Sequence, residues 1–99
     1  MAEFSRNNEK KINQVFHELL RAYGISRKYD EHRLKNEWAN VVGQTISNQT
    51  QSLDIDKDIL YVRLNAAALR EELSYSKSKL KEALNKAVGK EILRDIIFL

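Results

Sequence analysis

The sequence predicts an α+β domain with the element order α-α-β-β-α-β and a three-stranded sheet packed against helices. Three observations carry that prediction. Apolar residues recur at helical spacing up to Val42, at a spacing of two between Gln49 and Leu64, and at helical spacing again to Val88. The chain has no proline and only three glycines, so its helices meet few breakers. It closes on a run rich in strand formers, with Ile92, Ile96, Ile97 and Phe98.

Residues 1–8 are polar and are expected to form a flexible N-terminus, leaving 9–99 as one domain. From about Glu9 to Tyr23, Ile12, Val15, Phe16, Leu19, Leu20 and Tyr23 share one helix face. Lys10, Gln14, His17, Glu18 and Arg21 take the other, and Gly24 is placed to end the helix. The pattern predicts a helix covering a core with one side. Ser26 can cap a second helix, with Asp30 or Glu31 near its positive end. That helix runs from about Lys28 to Val42 and turns Leu34, Trp38, Val41 and, at its end, Val42 inward. Gly43 ends or bends it, and Ile46 continues the same surface for another turn.

Leu53 and Ile55 then alternate with Ser52, Asp54 and Asp56, and Leu60, Val62 and Leu64 alternate with Tyr61 and Arg63. This is a hairpin with one apolar and one polar face, turning around Asp56-Lys57-Asp58-Ile59. Pairing Ile55 with Leu60 sets Asp54 diagonal to Arg63, a surface ion pair of little energetic weight. A third helix is predicted from about Ala66 to Val88, with Leu69, Leu73, Leu80, Leu84 and Ala87 on one stripe and Gly89 as its stop. Glu91 to Leu99 reads as a third strand. If it lies parallel to the second, the crossover between them is right-handed.

Composition narrows the function classes. At 99 residues the chain is one domain, with 42% apolar and 31% charged residues as in ordinary globular domains. Zero cysteines exclude disulfides, thiolate metal sites and cysteine nucleophiles. No run is apolar enough to span a membrane and the N-terminus is no signal peptide, so the expected compartment is the cytoplasm. The net charge of +3, from 17 basic and 14 acidic residues, permits nucleic-acid binding without demanding it.

No catalytic constellation stands out. His17 and His32 fall on different helices, with His17 on a polar face, and no H-E-x-x-H occurs. Asp54-Ile55-Asp56-Lys57-Asp58 begins like a calcium loop, but Ile59 stands where the loop needs glycine and Asn65 where it needs glutamate. It is better read as an acidic hairpin rim. Neither metal nor cofactor nor small-molecule substrate is expected.

The third helix carries the more suggestive pattern. Counted at ~100° per residue, Arg70, Lys77 and Lys81 project along one border of the apolar stripe and Lys79, Lys86 and Lys90 along the other. Spaced cations suit a phosphate backbone. A solvated amphipathic helix whose lysines lie over the core edge shows the same pattern, and Lys86 and Lys90 also complement the helix C-terminus. Ser74, Ser76 and Ser78 interrupt the region with small hydrogen-bonding side chains. Arg63 and Tyr61, on the polar hairpin face, form a secondary patch able to pair with phosphate and stack on a base. Trp38 is most simply a core residue.

Trp38, Val41-Val42-Gly43, Ile46 and Thr50, then Leu60, Val62, Leu64, Leu69, Glu72-Leu73, Leu84-Asn85, Gly89, Ile92 and Asp95-Ile96 form a pattern that resembles the bacterial DciA-type family. These are replicative-helicase operators named as antecedents of the DnaC and DnaI loaders. The resemblance covers roughly residues 10–98 and looks most like the short, single-domain versions. It implies a KH-like domain lacking the GXXG loop, and a non-enzymatic DNA-binding accessory that helps the replicative helicase engage single-stranded DNA. Longer family members add a C-terminal tail that contributes to helicase contact, and this sequence stops at Leu99. The resemblance therefore speaks more directly for nucleic-acid binding than for helicase loading. The hairpin turn of the family often carries glycine where this chain has Ile59.

The expected function is thus a nucleic-acid-binding accessory of DNA replication. Its candidate partners are single- or double-stranded DNA, RNA and the replicative helicase. The alternative is an adaptor that docks a protein partner through an apolar surface or an edge strand such as Ile96-Ile97-Phe98-Leu99, without touching nucleic acid.

Overall fold

A computed structural model describes the backbone of residues 2–99 and the side chains of residues 11–99. It has five helices and three strands: α1 (Ala2–Ala22), α2 (Ser26–Val42), α3 (Gln44–Asn48), β1 (Thr50–Asp56), β2 (Ile59–Leu64), α4 (Ala67–Ser74), α5 (Lys77–Val88) and β3 (Asp95–Phe98). Of the flexible stretch expected over residues 1–8, Met1 and all side chains lie outside the described residues. The backbone from Ala2 onward forms the first turns of α1.

The sheet has the order β1-β2-β3, with β1 antiparallel and β3 parallel to the central strand. The expected register is found, Ile55 opposite Leu60 and Leu53 opposite Val62, and Ile96 then lies opposite Leu60 on the other side. One sheet face is therefore apolar. It packs with α2 and α5 around Leu34, Trp38, Leu60, Val62, Leu84 and Ile96, all 2% exposed or less. The hairpin closes through Lys57 and Asp58, both at positive φ (49° and 69°), as a two-residue turn matched to strand twist requires. Asp56 and Ile59 flank that turn as a register pair, as expected, and Ile59 is the first residue of β2. Asp54 and Arg63 form no ion pair among the described residues.

A register shift between Thr50 and Ser52 makes Gln51 an extra residue in β1, so Thr50 faces the same way as its partner Leu64. The Trp38 indole N–H consequently reaches the Thr50 hydroxyl (3.0 Å), which donates in turn to the Ile46 carbonyl (2.8 Å). One bulge thereby satisfies the only polar atom of the most buried aromatic side chain. It also ties α3 to the sheet.

Four expectations are corrected. Ser26 does not cap α2: Ile25 holds the cap position, and no side chain bonds there. The single helix expected over Ala66 to Val88 is two, α4 and α5. At the break the N–H groups of Tyr75 and Ser76 turn back to Glu72 (3.2 Å) and Leu73 (3.0 Å), while the Ser74 hydroxyl takes the Glu71 carbonyl (2.6 Å). The bend lets α4 lie against β2 and β3 while α5 lies against α2 and β3. Val88 rather than Ala87 then completes the buried stripe.

The strand expected from Glu91 starts only at Asp95. Residues before it form a loop pinned to α5 by the buried Asn85. Its side-chain oxygen accepts from the N–H groups of Ile92 (3.1 Å) and Leu93 (2.8 Å), and its amide donates to the Leu93 carbonyl (3.1 Å). These bonds satisfy backbone groups that a strand partner would otherwise hold.

The fourth correction concerns α1. It rests on α2 through Leu20, which is buried, and through Phe16 and His17 against Tyr29, with ring centroids 5.4 and 6.2 Å apart. His17 is accordingly half-buried rather than on a free polar face. The apolar stripe of α1 stays largely in solvent, so the helix meets its neighbour with a flank rather than with its apolar face. No helix among the described residues is long and apolar enough to cross a membrane.

Candidate nucleic-acid interface

The candidate cations do not form two rows on one helix. Arg70, half-buried, belongs to α4, on the far side of the break. Lys77 and Lys81 fall on the α5 face that carries Leu84 and Val88, and both are half-buried. Lys77 also reaches the Asp95 carboxylate at 3.9 Å. Lys79 and Lys86 point the opposite way, into solvent. Tyr61 and Arg63 sit on the sheet face away from the helices, with Arg63 exposed and Tyr61 half-buried between Asp54 and Ile97.

Lys90 is engaged elsewhere. Its ammonium lies 3.1 Å from one carboxylate oxygen of Asp30, a residue of α2 that is only 6% exposed, and this pair ties the end of α5 to α2. The other Asp30 oxygen is buried with no hydrogen-bond partner among the described residues. A buried carboxylate does not easily release the one cation it meets among the described residues, so Lys90 is first a structural counter-ion.

What the fold does gather is an open cleft of about 740 Å³ between α5 and the loop before β3. Lys81, Lys86 and Lys90 line it, together with Arg94, which sequence reasoning passed over. Arg94 stands at the end of the loop that Asn85 fixes. Its N–H bonds the Asp58 carbonyl (2.7 Å), leaving its guanidinium exposed near the Lys57 carbonyl (3.4 Å). The arginine is thereby locked beside the hairpin turn. Asp58, Glu82 and Glu91 share the lining, but Asp58 is paired with Arg27, which also bonds Glu31 and the Ile92 carbonyl.

With the Lys90 and Asp58 charges internally matched, the free lining charges are Lys81, Lys86 and Arg94 against Glu82 and Glu91. Lys86 also offsets the carbonyl end of α5, which closes at Gly89 in the left-handed conformation (φ 75°). Such a cleft can hold a phosphate chain through spaced point charges. No group of three histidine, aspartate or glutamate side chains able to hold a metal occurs among the described residues.

The signals for Arg94 and Asn85 were faint in the sequence. Arg94 lay inside a run read as strand. Asn85 was one more polar residue beside a buried stripe, visible only as part of a family pattern.

Searches of curated proteins and of solved structures find no match to this chain. A family model described as Dna[CI] antecedent, DciA, matches residues 11–98, from the exposed part of α1 to the last residue of β3. The match takes in the Trp38–Thr50 tie, the Asn85 clasp and the whole cleft, and the chain belongs to the DciA family.

Proposed function

We propose that this chain is a non-enzymatic accessory of bacterial DNA replication that binds single-stranded DNA in the cleft beside α5 and helps the replicative helicase engage it. Family membership supports the replication role, and the KH-like reading of the fold belongs to the same proposal. The observation that carries the binding surface is one cleft lined by Lys81, Lys86 and Arg94, which reach it from different sides of α5 and from the loop before β3, with Lys79 beside Lys86 on the solvent side of α5. Arg63 and Tyr61, on the opposite sheet face, then belong to a different surface. Lys77, Lys90 and Arg70 are secondary. Duplex DNA and RNA share the phosphate chemistry and serve as competitors in the test.

Fluorescence anisotropy with a labelled single-stranded oligonucleotide tests the proposal. Four phosphate contacts give a salt slope of about −3, so affinity falls roughly 50-fold between about 50 and 200 mM salt. Changing Lys81, Lys86 and Arg94 to Gln together brings the slope toward about −0.7 without unfolding the chain. Absence of binding at ~50 mM salt, or binding unchanged in the triple variant, refutes this surface.

A second reading is favoured by the position of β3, an edge strand paired only to β2. In it the chain docks a protein by strand addition. Nuclease-treated pull-down of the helicase, run beside the anisotropy assay, separates the two readings.

A further inference from the structure

The break between α4 and α5 leaves Tyr75 82% exposed, the largest exposure of any aromatic side chain among the described residues. The ring continues the outer face of α4. At ~100° per residue Ala68, Glu71, Glu72 and Tyr75 fall within roughly a third of the helix circumference, at the spacings that set side chains beside one another. All four are exposed, whereas Leu73 on the other side of the helix is buried in the core. The small Ala68 leaves a hollow among the three longer side chains, and Ala66 and Leu69 join its lining. The result is an open, largely apolar groove of about 640 Å³.

The charges of the groove select its occupant. Its charged lining residues are Glu71 and Glu72, and neither forms an ion pair among the described residues. Gln49, which completes the lining, is neutral. Arg70, the nearest cation in sequence, projects from the opposite side of α4, about 140° from Tyr75. Two carboxylates repel a phosphate chain, so the exposed ring is poorly placed to stack on the bases of DNA. They attract a cation, and a tyrosine ring offers a cation its negative face. A guanidinium uses both features, because it lies flat on a ring and its fork of N–H donors matches a carboxylate. Its apolar stem suits the alanine and leucine floor. An ammonium is a more strongly hydrated point charge and exploits the same groove less well.

We infer that the α4 groove is a docking site for an arginine-bearing segment of a protein partner. The guanidinium lies against Tyr75, Glu71 and Glu72, and a neighbouring apolar residue of the segment rests on Ala66, Ala68 and Leu69. The groove shares no lining residue with the cleft beside α5, so it stands whether or not that cleft binds nucleic acid. A contact this small lies well below a standard interface and is weak on its own, as one of several points at which a partner holds the chain.

Titration of the isotope-labelled full chain with acetyl-Ala-Leu-Arg-Leu-Ala-amide, followed by amide NMR shifts, tests the inference. A dissociation constant on the order of 1 mM is expected, with shifts centred on Ala68, Glu71, Glu72 and Tyr75. Citrulline in place of the peptide's arginine keeps the shape but removes the charge and weakens binding at least about fivefold; lysine weakens it about twofold. Tyr75→Ser and Glu71→Gln/Glu72→Gln each weaken binding about threefold or more, whereas Tyr75→Phe, which keeps the ring, binds as wild type. The substituted side chains are exposed, so circular dichroism and the fluorescence of buried Trp38 stay native in every variant. Absence of shifts in the groove at ~10 mM peptide overturns the inference. So does a citrulline peptide that binds as well as the arginine peptide, or binding unchanged in Tyr75→Ser or in Glu71→Gln/Glu72→Gln. A single-stranded oligonucleotide that displaces the peptide overturns it too, and makes Tyr75 a base-stacking residue instead.

Discussion

Asn85→Leu removes the clasp that shapes the cleft while nearly conserving side-chain volume. The side chain is 9% exposed and makes three hydrogen bonds of 2.8 to 3.1 Å, all to backbone groups of Ile92 and Leu93. Ile92 and Leu93 are themselves buried, so water cannot readily replace the lost partners. Two N–H groups and one carbonyl are left wanting, at about 1–3 kcal/mol each if the loop stays in place. Partial relaxation of the loop brings the expected loss to about 3 kcal/mol, a large fraction of the 5–15 kcal/mol typical of a domain. Urea unfolding followed by Trp38 fluorescence reads the loss directly, because Trp38 is the only tryptophan and is 2% exposed. With a slope near 1.5 kcal/mol/M, the midpoint falls by about 2 M. Because the same loop positions Arg94, oligonucleotide affinity falls below wild type even where the variant is fully folded. A loss under about 1 kcal/mol, with unchanged DNA affinity, would show that Asn85 neither holds the loop nor shapes the cleft.

The remaining expectations concern charges and turn geometry. Lys90→Met strands the Asp30 carboxylate and lowers stability by about 1–2 kcal/mol, discounted for the half-exposed lysine, whereas Lys86→Met changes it by less than about 0.5 kcal/mol. Adding Asp30→Leu to Lys90→Met recovers most of the loss; equal effects of the two lysine changes in urea unfolding would contradict the pairing. Lys57→Gly relieves a non-glycine residue at φ 49° in the hairpin turn and raises stability by about 0.5–1 kcal/mol, measured as a rise in thermal midpoint.

Much of the fold was legible in the residues. Leu53, Ile55, Leu60 and Val62 at a spacing of two could be satisfied only by a hairpin with one buried face, and the register followed from it. Gly43 and Gly89 both stand at positive φ where the helices they were expected to end do end. The break at Tyr75-Ser76 was written less clearly. Three serines signal local competition for backbone carbonyls, but whether that competition prevails depends on the two surfaces that α4 and α5 must cover.

The candidate site was legible only as a supply of cations. Their grouping was not. A helix projection assumed one straight rod and placed Arg70 with Lys77 and Lys81, whereas the bend separates them. It also treated Lys90 as free, because the Asp30 that holds it lies sixty residues earlier in the chain.

The sequence by itself determined the element order, the strand register, the helix-ending glycines and most core positions from Leu34 onward, because each follows from periodicity and local backbone chemistry. Only the tertiary structure decided which lysines face solvent, which one is a buried counter-ion, that Arg94 joins Lys81 and Lys86 at one cleft, and that the apolar face of α1 is left uncovered. Those outcomes depend on contacts between residues far apart in the chain, and no local pattern encodes which of two amphipathic faces will find a partner.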